Sequence, residues 1–288
     1  METICKCCGE KIEFELKDVI GGHRALCGDS KDPRNFDKLM EGKFAKVCFT
    51  SAPYNANNKL YSFYRDNLKS KEYIDFNLKV VENVRRHLRG YLFWNLSYNR
   101  KSRWEFIEIF YRILKESRME FLELILWDKL HGLPIISKNL LTRQHESILL
   151  AGDSDSIRED LELFYLGKND RGAYFNKKTN KGITNLWKIG TNGTQTKEHQ
   201  ACYPIKLPIR ALELMGEKNS IVIDPYLGLF TTILSAQSVG QWGYGIELSE
   251  VYFCAGLQRW IKQTGQTPVK ICNINEPNSK PKSPKQKI

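Results

Sequence analysis

A chain of 288 residues can bury one large core, or one core with a small appended module. Its 44 Lys and Arg against 33 Asp and Glu leave a charge of +11, which favours a polyanionic partner, nucleic acid first, although part of the excess sits in a tail. No apolar run reaches the length of a membrane span and the first thirty residues lack a secretory pattern, so a cytoplasmic location is expected and the eight scattered cysteines are read as reduced thiols.

Residues 1–22 form a leader that opens on Cys5-Lys-Cys7-Cys8-Gly9. Cys5 and Cys8 have half of a zinc-knuckle spacing. No second Cys-x-x-Cys follows, so zinc would need Cys27, Cys48 or His23 brought in by folding. The reading preferred is a short thiol-bearing leader without metal. A strand beginning at His23 then ends in Gly28-Asp29-Ser30 and hands a carboxylate to a loop; taken alone, Gly-Asp-Ser is also an ordinary turn and helix cap. Residues 33–42 read as a short helix.

Ala45 to Phe49 reads as a strand running into Thr50-Ser51-Ala52-Pro53-Tyr54-Asn55. This stretch resembles the catalytic tetrapeptide of amino-methylating DNA methyltransferases, and the resemblance implies that a side-chain oxygen at Ser51 and a backbone carbonyl beside the proline accept the two hydrogens of an exocyclic amine while the Tyr54 ring stacks on a base taken out of a helix. Serine is a weaker acceptor than a carboxylate, so its role here is orientation rather than proton removal. Residues 56–76 are polar and tyrosine-rich, and Lys59, Tyr61 and Arg65 suit phosphate and unstacked bases; a solvated loop explains them equally well.

Tyr73–Leu88 and Arg103–Lys115 read as helices, and strands are expected at 90–95 and 119–127. Thr142-Arg-Gln-His145-Glu146 leads into a further strand, with His145 ordering a loop rather than acting in chemistry. Residues 152–198 hold many turn formers with basic and aromatic residues interleaved, Lys177, Lys178 and Lys181 among them. That composition fits a DNA-reading insert, or an irregular surface excursion. Tyr203-Pro204 and Leu207-Pro208 lead into a helix.

Ile221-Val-Ile-Asp224-Pro-Tyr-Leu-Gly228-Leu-Phe-Thr231-Thr232 follows, and a second short strand ends at Gly245-Ile246-Glu247. A buried strand, a tight turn, a helix and a strand ending in an acid make half of a nucleotide-binding βαβ unit. The turn brings backbone to a ligand, and the terminal acid accepts from ribose hydroxyls. A last strand is expected at 269–273, and residues 275–288 form a disordered basic tail.

These segments resemble the amino-methylating DNA methyltransferases, from about His23 to Gly256. The family's His-Pro-x-x-x-Pro, Asp-Pro-Phe-x-Gly-Ser-Gly-Thr-Thr and Gly-x-Glu have counterparts in His199 to Pro204, Asp224 to Thr232 and Gly245 to Glu247. Its (Asp/Asn/Ser)-Pro-Pro-(Tyr/Phe/Trp) has one in Ser51 to Tyr54. The catalytic motif precedes the cofactor motif, as in the circularly permuted β group. The resemblance implies an α/β, Rossmann-like methyltransferase fold, a mixed sheet of about seven strands with helices on both faces. It divides the chain into the leader, a catalytic half at 23–151, the insert at 152–198, a cofactor-binding half at 199–274 and the tail.

It further implies S-adenosylmethionine as cofactor, held by Asp29, Pro204, Asp224, Gly228, Thr231 and Glu247, with Ser51, Pro53 and Tyr54 as catalytic residues. Double-stranded DNA would be the substrate, methylated at adenine N6 or cytosine N4, and Ser51 leans the choice to cytosine. A restriction endonuclease or a second methyltransferase subunit would be the further partner. Ala52 replaces a proline of the family, a light departure. Leu229-Phe230 replaces Ser-Gly, and an extra ring is expected where the backbone should approach the cofactor. That keeps open an alternative, a catalytically impaired subunit that binds DNA or a partner. A third class, RNA or protein methylation, keeps the cofactor and changes the substrate.

Overall fold

The computed structural model describes residues 13–16, 22–57, 64–99, 102–131, 142–153, 166–168, 174–176, 181–182, 184–191, 202–266 and 268–271. The chain first lays down β1 (Glu13–Leu16), β2 (His23–Cys27), α1 (Pro33–Met40), β3 (Ala45–Ser51), α2 (Ser70–His87), β4 (Leu88–Leu96), α3 (Arg103–Ser117), β5 (Glu120–Asp128) and β6 (His145–Gly152). Four short strands follow, β7 (Leu166–Lys168), β8 (Tyr174–Asn176), β9 (Lys181–Gly182) and β10 (Leu186–Lys188). The last part holds α4 (Lys206–Met215), β11 (Ile221–Asp224), α5 (Thr231–Ser238), β12 (Trp242–Glu247), α6 (Glu250–Thr264) and β13 (Pro268–Ile271).

Ten strands make one sheet in the order β10-β5-β6-β4-β3-β11-β12-β2-β1-β13. From β4 through β3, β11 and β12 to β2 every pairing is parallel. Strand β6 runs antiparallel to both β4 and β5, and β1 to both β2 and β13. The seven expected strands form the centre of this mixed sheet. Of the three that extend its edges, β13 matches the expected last strand, whereas β1 lies in the stretch read as leader and β10 in the stretch read as insert. Strands β7, β8 and β9 of that insert pair with one another in a small separate sheet.

Side chains that alternate along each strand build a core on each face. On β3 and β4, Cys48, Leu92 and Trp94 face α1, α2 and α3. Val47, Phe49, Tyr91 and Phe93 face the opposite way, toward α4. Helices α5 and α6 cover the same side further along, over Ala25 and Cys27 of β2. Helix starts follow local chemistry: the Asp32 carboxylate accepts the Arg34 N–H ahead of Pro33 in α1, and Ser249 Oγ accepts the Tyr252 N–H at α6. Among the described residues no helix is long and apolar enough to cross a membrane.

Candidate active site

Strands β3 and β11 are parallel neighbours, yet the chain leaves them in opposite directions. From β11 it passes through α5 to β12 on one side, and from β3 through α2 to β4 on the other. Such a reversal opens a crevice at the carboxyl ends of the strands. A cavity of about 310 Å³ lies there, its wall including Asp29, Ser51–Tyr54, Pro225–Leu229, Thr231 and Glu247, with Tyr64, Asp66, Phe76, Cys202 and Tyr203 among the other lining residues.

Asp224 was expected at the cofactor, but it is fully buried and does not line this cavity. Its Oδ1 accepts from Thr50 Oγ1 at 2.6 Å and the Tyr226 N–H at 3.0 Å. Its Oδ2 accepts from Thr232 Oγ1 at 2.6 Å and Tyr203 Oη at 3.0 Å. Burial raises the Asp224 pKa, and these four donors work against the rise. The same burial, with the Asp224 charge beside them, pushes the Tyr203 hydroxyl and the Cys48 thiol well up. Asp224 thus ties the ends of β3 and β11 to α5 and to the entry of α4.

The turn after Asp224 places Gly228 at φ 55° and Phe230 at φ 62°. A bulky side chain at positive φ is an outlier that its surroundings must hold. The Phe230 ring is fully buried and lies 5.3 Å from the Phe253 ring, edge to face. A Cβ at Gly256 would stand 2.4 Å from that ring, so the glycine leaves the space the ring fills. The expected obstruction therefore does not occur: Phe230 turns into the core between α5 and α6, and Leu229 lines the cavity in its stead.

Glu247, at the end of β12, is 6% exposed and lines the cavity. Its Oε2 accepts from the Gly228 N–H at 2.7 Å and its Oε1 from the Ser249 N–H at 2.8 Å. The Leu248 N–H also bonds this carboxylate, which leaves one of its four acceptor positions for a ligand hydroxyl. Burial pushes the Glu247 pKa up to about 7 against the pull of those N–H groups. Asp29 joins it, with its carbonyl held by Asn35 Nδ2 at 2.9 Å and its Oδ1 by the Lys31 N–H at 2.9 Å. Thr231 lines the wall and receives Arg259 Nη1 at 2.8 Å. Pro204 does not line it: its carbonyl starts α4 by accepting the Leu207 N–H at 2.9 Å, while Cys202 and Tyr203 before it form the wall.

At the other end Ser51, Ala52, Pro53 and Tyr54 line the cavity together. The Pro53 carbonyl accepts Tyr73 Oη at 2.8 Å, so the carbonyl left beside the proline is that of Ala52, which has no hydrogen-bond donor among the described residues. Tyr54 Oη donates to Glu146 Oε2 at 2.5 Å and lies 3.0 Å from Ser51 Oγ. Asn95 Nδ2 reaches Ser51 Oγ, Tyr54 Oη and Glu146 Oε2 at 3.0, 2.9 and 2.9 Å. Lys129 Nζ holds the second oxygen of Glu146 at 3.1 Å. Sequence reasoning missed Asn95, Lys129 and Glu146 as site residues; His145 was weighed instead, and it sits exposed, paired across the sheet with Asp128.

Arg65 is exposed, with its Nε on Asn67 Oδ1 at 3.1 Å. Lys59, Tyr61, Lys177, Lys178, Cys5 and Cys8 lie outside the described residues, and Lys181 is described only as backbone of β9. His23, Cys27 and Cys48 are buried in the core, where His23 Nδ1 accepts the Gly243 N–H at 2.9 Å. Among the described residues no group of three His, Cys, Asp or Glu could hold a metal.

A family model described as DNA methylase, of the N6/N4 type, matches residues 45–257. The Type II methyltransferase M.ScaI of Streptomyces caespitosus is 24% identical over 84% of this chain and 81% of its own length. M.BglII of Bacillus subtilis is 25% identical over 70% of this chain and 60% of its own. Among solved structures, the cytosine-N4-specific PvuII DNA methyltransferase superposes with a TM-score of 0.62 at 19% identity, over 82% of this chain and 85% of that one. M1.HpyAVI in its SAM complex superposes with a TM-score of 0.57 at 16% identity, over 82% and 97%. The chain belongs to the N6/N4 family of DNA methylases.

Proposed function

We propose that this protein transfers a methyl group from S-adenosylmethionine to an exocyclic amino nitrogen of a base flipped out of duplex DNA. The observation that carries the reading is one cavity whose wall holds both the Ser51–Tyr54 turn and the Asp29–Glu247 pair. The residues fit the cofactor. Glu247 keeps an acceptor position for a ribose hydroxyl, and Asp29 suits the adenine end. Tyr226 lines the same cavity, and its buried hydroxyl has no hydrogen-bond partner among the described residues. Bound S-adenosylmethionine supplies the methyl group on a positively charged sulfur. Gly228 and Thr231 shape the wall around it, while Asp224 and Pro204 act from behind by fixing the loops.

The chain's own part in the chemistry is to hold the amine. Ser51 Oγ and the Ala52 carbonyl accept its two hydrogens, which favours the pyramidal nitrogen needed for attack. The Tyr54 ring offers the stacking face, fixed by its hydroxyl. The target is adenine N6 or cytosine N4, and Ser51 favours cytosine. The impaired-subunit alternative rested on Phe230, whose ring lies in the core and outside the cavity.

Lys59, Tyr61, Arg65, Lys177, Lys178 and Lys181 are assigned to the DNA, and replacing the last three by Ala should flatten the salt dependence of DNA affinity. A cognate restriction endonuclease and a cytoplasmic location belong to the same reading. DNA from cells expressing the chain, sequenced for N6-methyladenine and N4-methylcytosine, tests it. One modified base at a fixed sequence is expected, and unmodified DNA would refute the activity.

A further inference from the structure

The hydrogen bonds behind Ser51 run in one direction. A carboxylate only accepts, so the single proton of the Tyr54 hydroxyl is committed to Glu146 Oε2 at 2.5 Å. The 3.0 Å contact between Ser51 Oγ and Tyr54 Oη must then have Ser51 as the donor. Asn95 Nδ2 can only donate, and its three contacts are all to acceptors of this chain. The opposite orientation of its amide would set Oδ1 against the Glu146 carboxylate. Lys129 occupies Glu146 Oε1 at 3.1 Å and leaves Oε2 to Tyr54. One lone pair of Ser51 Oγ remains for an N–H group in the cavity.

We infer that Ser51, Tyr54 and Glu146 form a proton relay that carries the surplus proton of the methylated amine to a buried carboxylate. The relay rests on the methyl-transfer reading above. An exocyclic nitrogen that has gained a methyl group holds two protons and a positive charge. It is a strong acid, because its lone pair returns to the ring once an N–H bond breaks. The proton passes to Ser51 Oγ as the proton of Ser51 moves to Tyr54 Oη and that of Tyr54 moves to Glu146 Oε2. One N–H bond is broken and one carboxyl O–H bond is made. The positive charge on nitrogen and the negative charge on Glu146 both disappear, and Ser51 and Tyr54 end neutral. Serine thereby serves where other chains place an acid, because the acid stands two hydrogen bonds behind it. The Glu146 side chain is 10% exposed, so its proton can return to water between turnovers.

Glu146→Gln and Tyr54→Phe test the relay. Gln keeps the size and an acceptor but cannot take a proton, and Phe keeps the stacking ring but breaks the chain. Each should slow single-turnover methylation by about 100-fold, the lower range of general acid–base assistance, and the double variant should be no slower than either single one. The solvent deuterium isotope effect of the wild type should vanish in both, which a merely structural role would not produce. Independently of activity, a downfield proton resonance of the Tyr54 hydroxyl is expected in the wild type, absent in Tyr54→Phe and moved upfield in Glu146→Gln. Both variants should keep cofactor affinity and melting temperature close to wild type. An inactive wild type would refute the methyl-transfer reading and the relay with it. An active wild type with either variant folded and at full rate, or with the isotope effect retained, would overturn the relay alone.

Discussion

The two ends of the cavity are built differently. At the proposed cofactor end Glu247 and the buried Asp224 behind it come from one short stretch that supplies much of what holds them, Gly228 and Ser249 N–H groups on Glu247 and Thr232 and Tyr226 on Asp224, and Asp29 joins from the loop after β2. At the base end the Ser51–Tyr54 turn is held by side chains from three other strand ends, Asn95, Lys129 and Glu146. An acid that meets backbone donors, as Glu247 does, survives substitution of most surrounding side chains. A site assembled from distant side chains depends on sheet register, which pairs Ser51 with Asn95 and Trp127 with Glu146.

The largest effect expected from breaking the first arrangement is in stability. Asp224→Ala strips a buried acceptor from three hydroxyls and one N–H, and should cost about 3–5 kcal/mol in urea denaturation. A cost below about 1 kcal/mol would mean that those donors find other partners. Phe230→Gly comes next. It removes a buried ring but relieves a positive φ, so the net loss should be about 2–4 kcal/mol, with cofactor affinity unchanged. A clear gain or loss of affinity in that variant would place the ring back at the cofactor.

The smallest effect concerns pH. The Glu247 pKa of about 7 is raised by burial, and ribose hydroxyls bond its ionised form. Cofactor affinity should therefore be nearly full at pH 8, about half of that at pH 7, and about tenfold lower at pH 6. The sign is opposite for stability of the ligand-free chain. A carboxyl with a raised pKa takes up protons on folding, so its contribution declines as pH rises from 4.5 toward 7. Calorimetry over this pH range should show the affinity slope in the wild type and a flat response in Glu247→Gln; a flat wild type would remove Glu247 from the cofactor.

How far each end was legible in the sequence follows from the same difference. The Asp224–Glu247 unit is contiguous and the motifs stand in a set order, so the central seven strands and the stretch of cavity wall formed by Gly228, Thr231 and Glu247 could be read in advance. The role of Asp224 could not, because Thr50 and Tyr203, two of its four donors, come from outside that stretch. Phe230 was legible as a departure, but its direction depends on a positive φ and on the space left by Gly256, some twenty-six residues later. Asn95 ends an expected apolar strand and Glu146 follows His145, the residue weighed there instead; only the antiparallel insertion of β6 between β4 and β5 brings the two together. A polar residue at the end of each of several expected strands was the available signal, Asn95 at the carboxyl end of β4 and Glu146 at the amino end of β6.

The central claim is that one cavity joins a cofactor end and a base end that separate by mutation. Its most direct test is to measure cofactor affinity and single-turnover methylation of DNA on the wild type, Tyr54→Ala and Glu247→Ala. Tyr54→Ala should abolish transfer with cofactor binding nearly intact, since stacking on an aromatic ring is worth about 1–3 kcal/mol per base. Glu247→Ala should weaken the cofactor by about 1–3 kcal/mol. Wild-type methylation by a well-folded Tyr54→Ala variant would contradict the account.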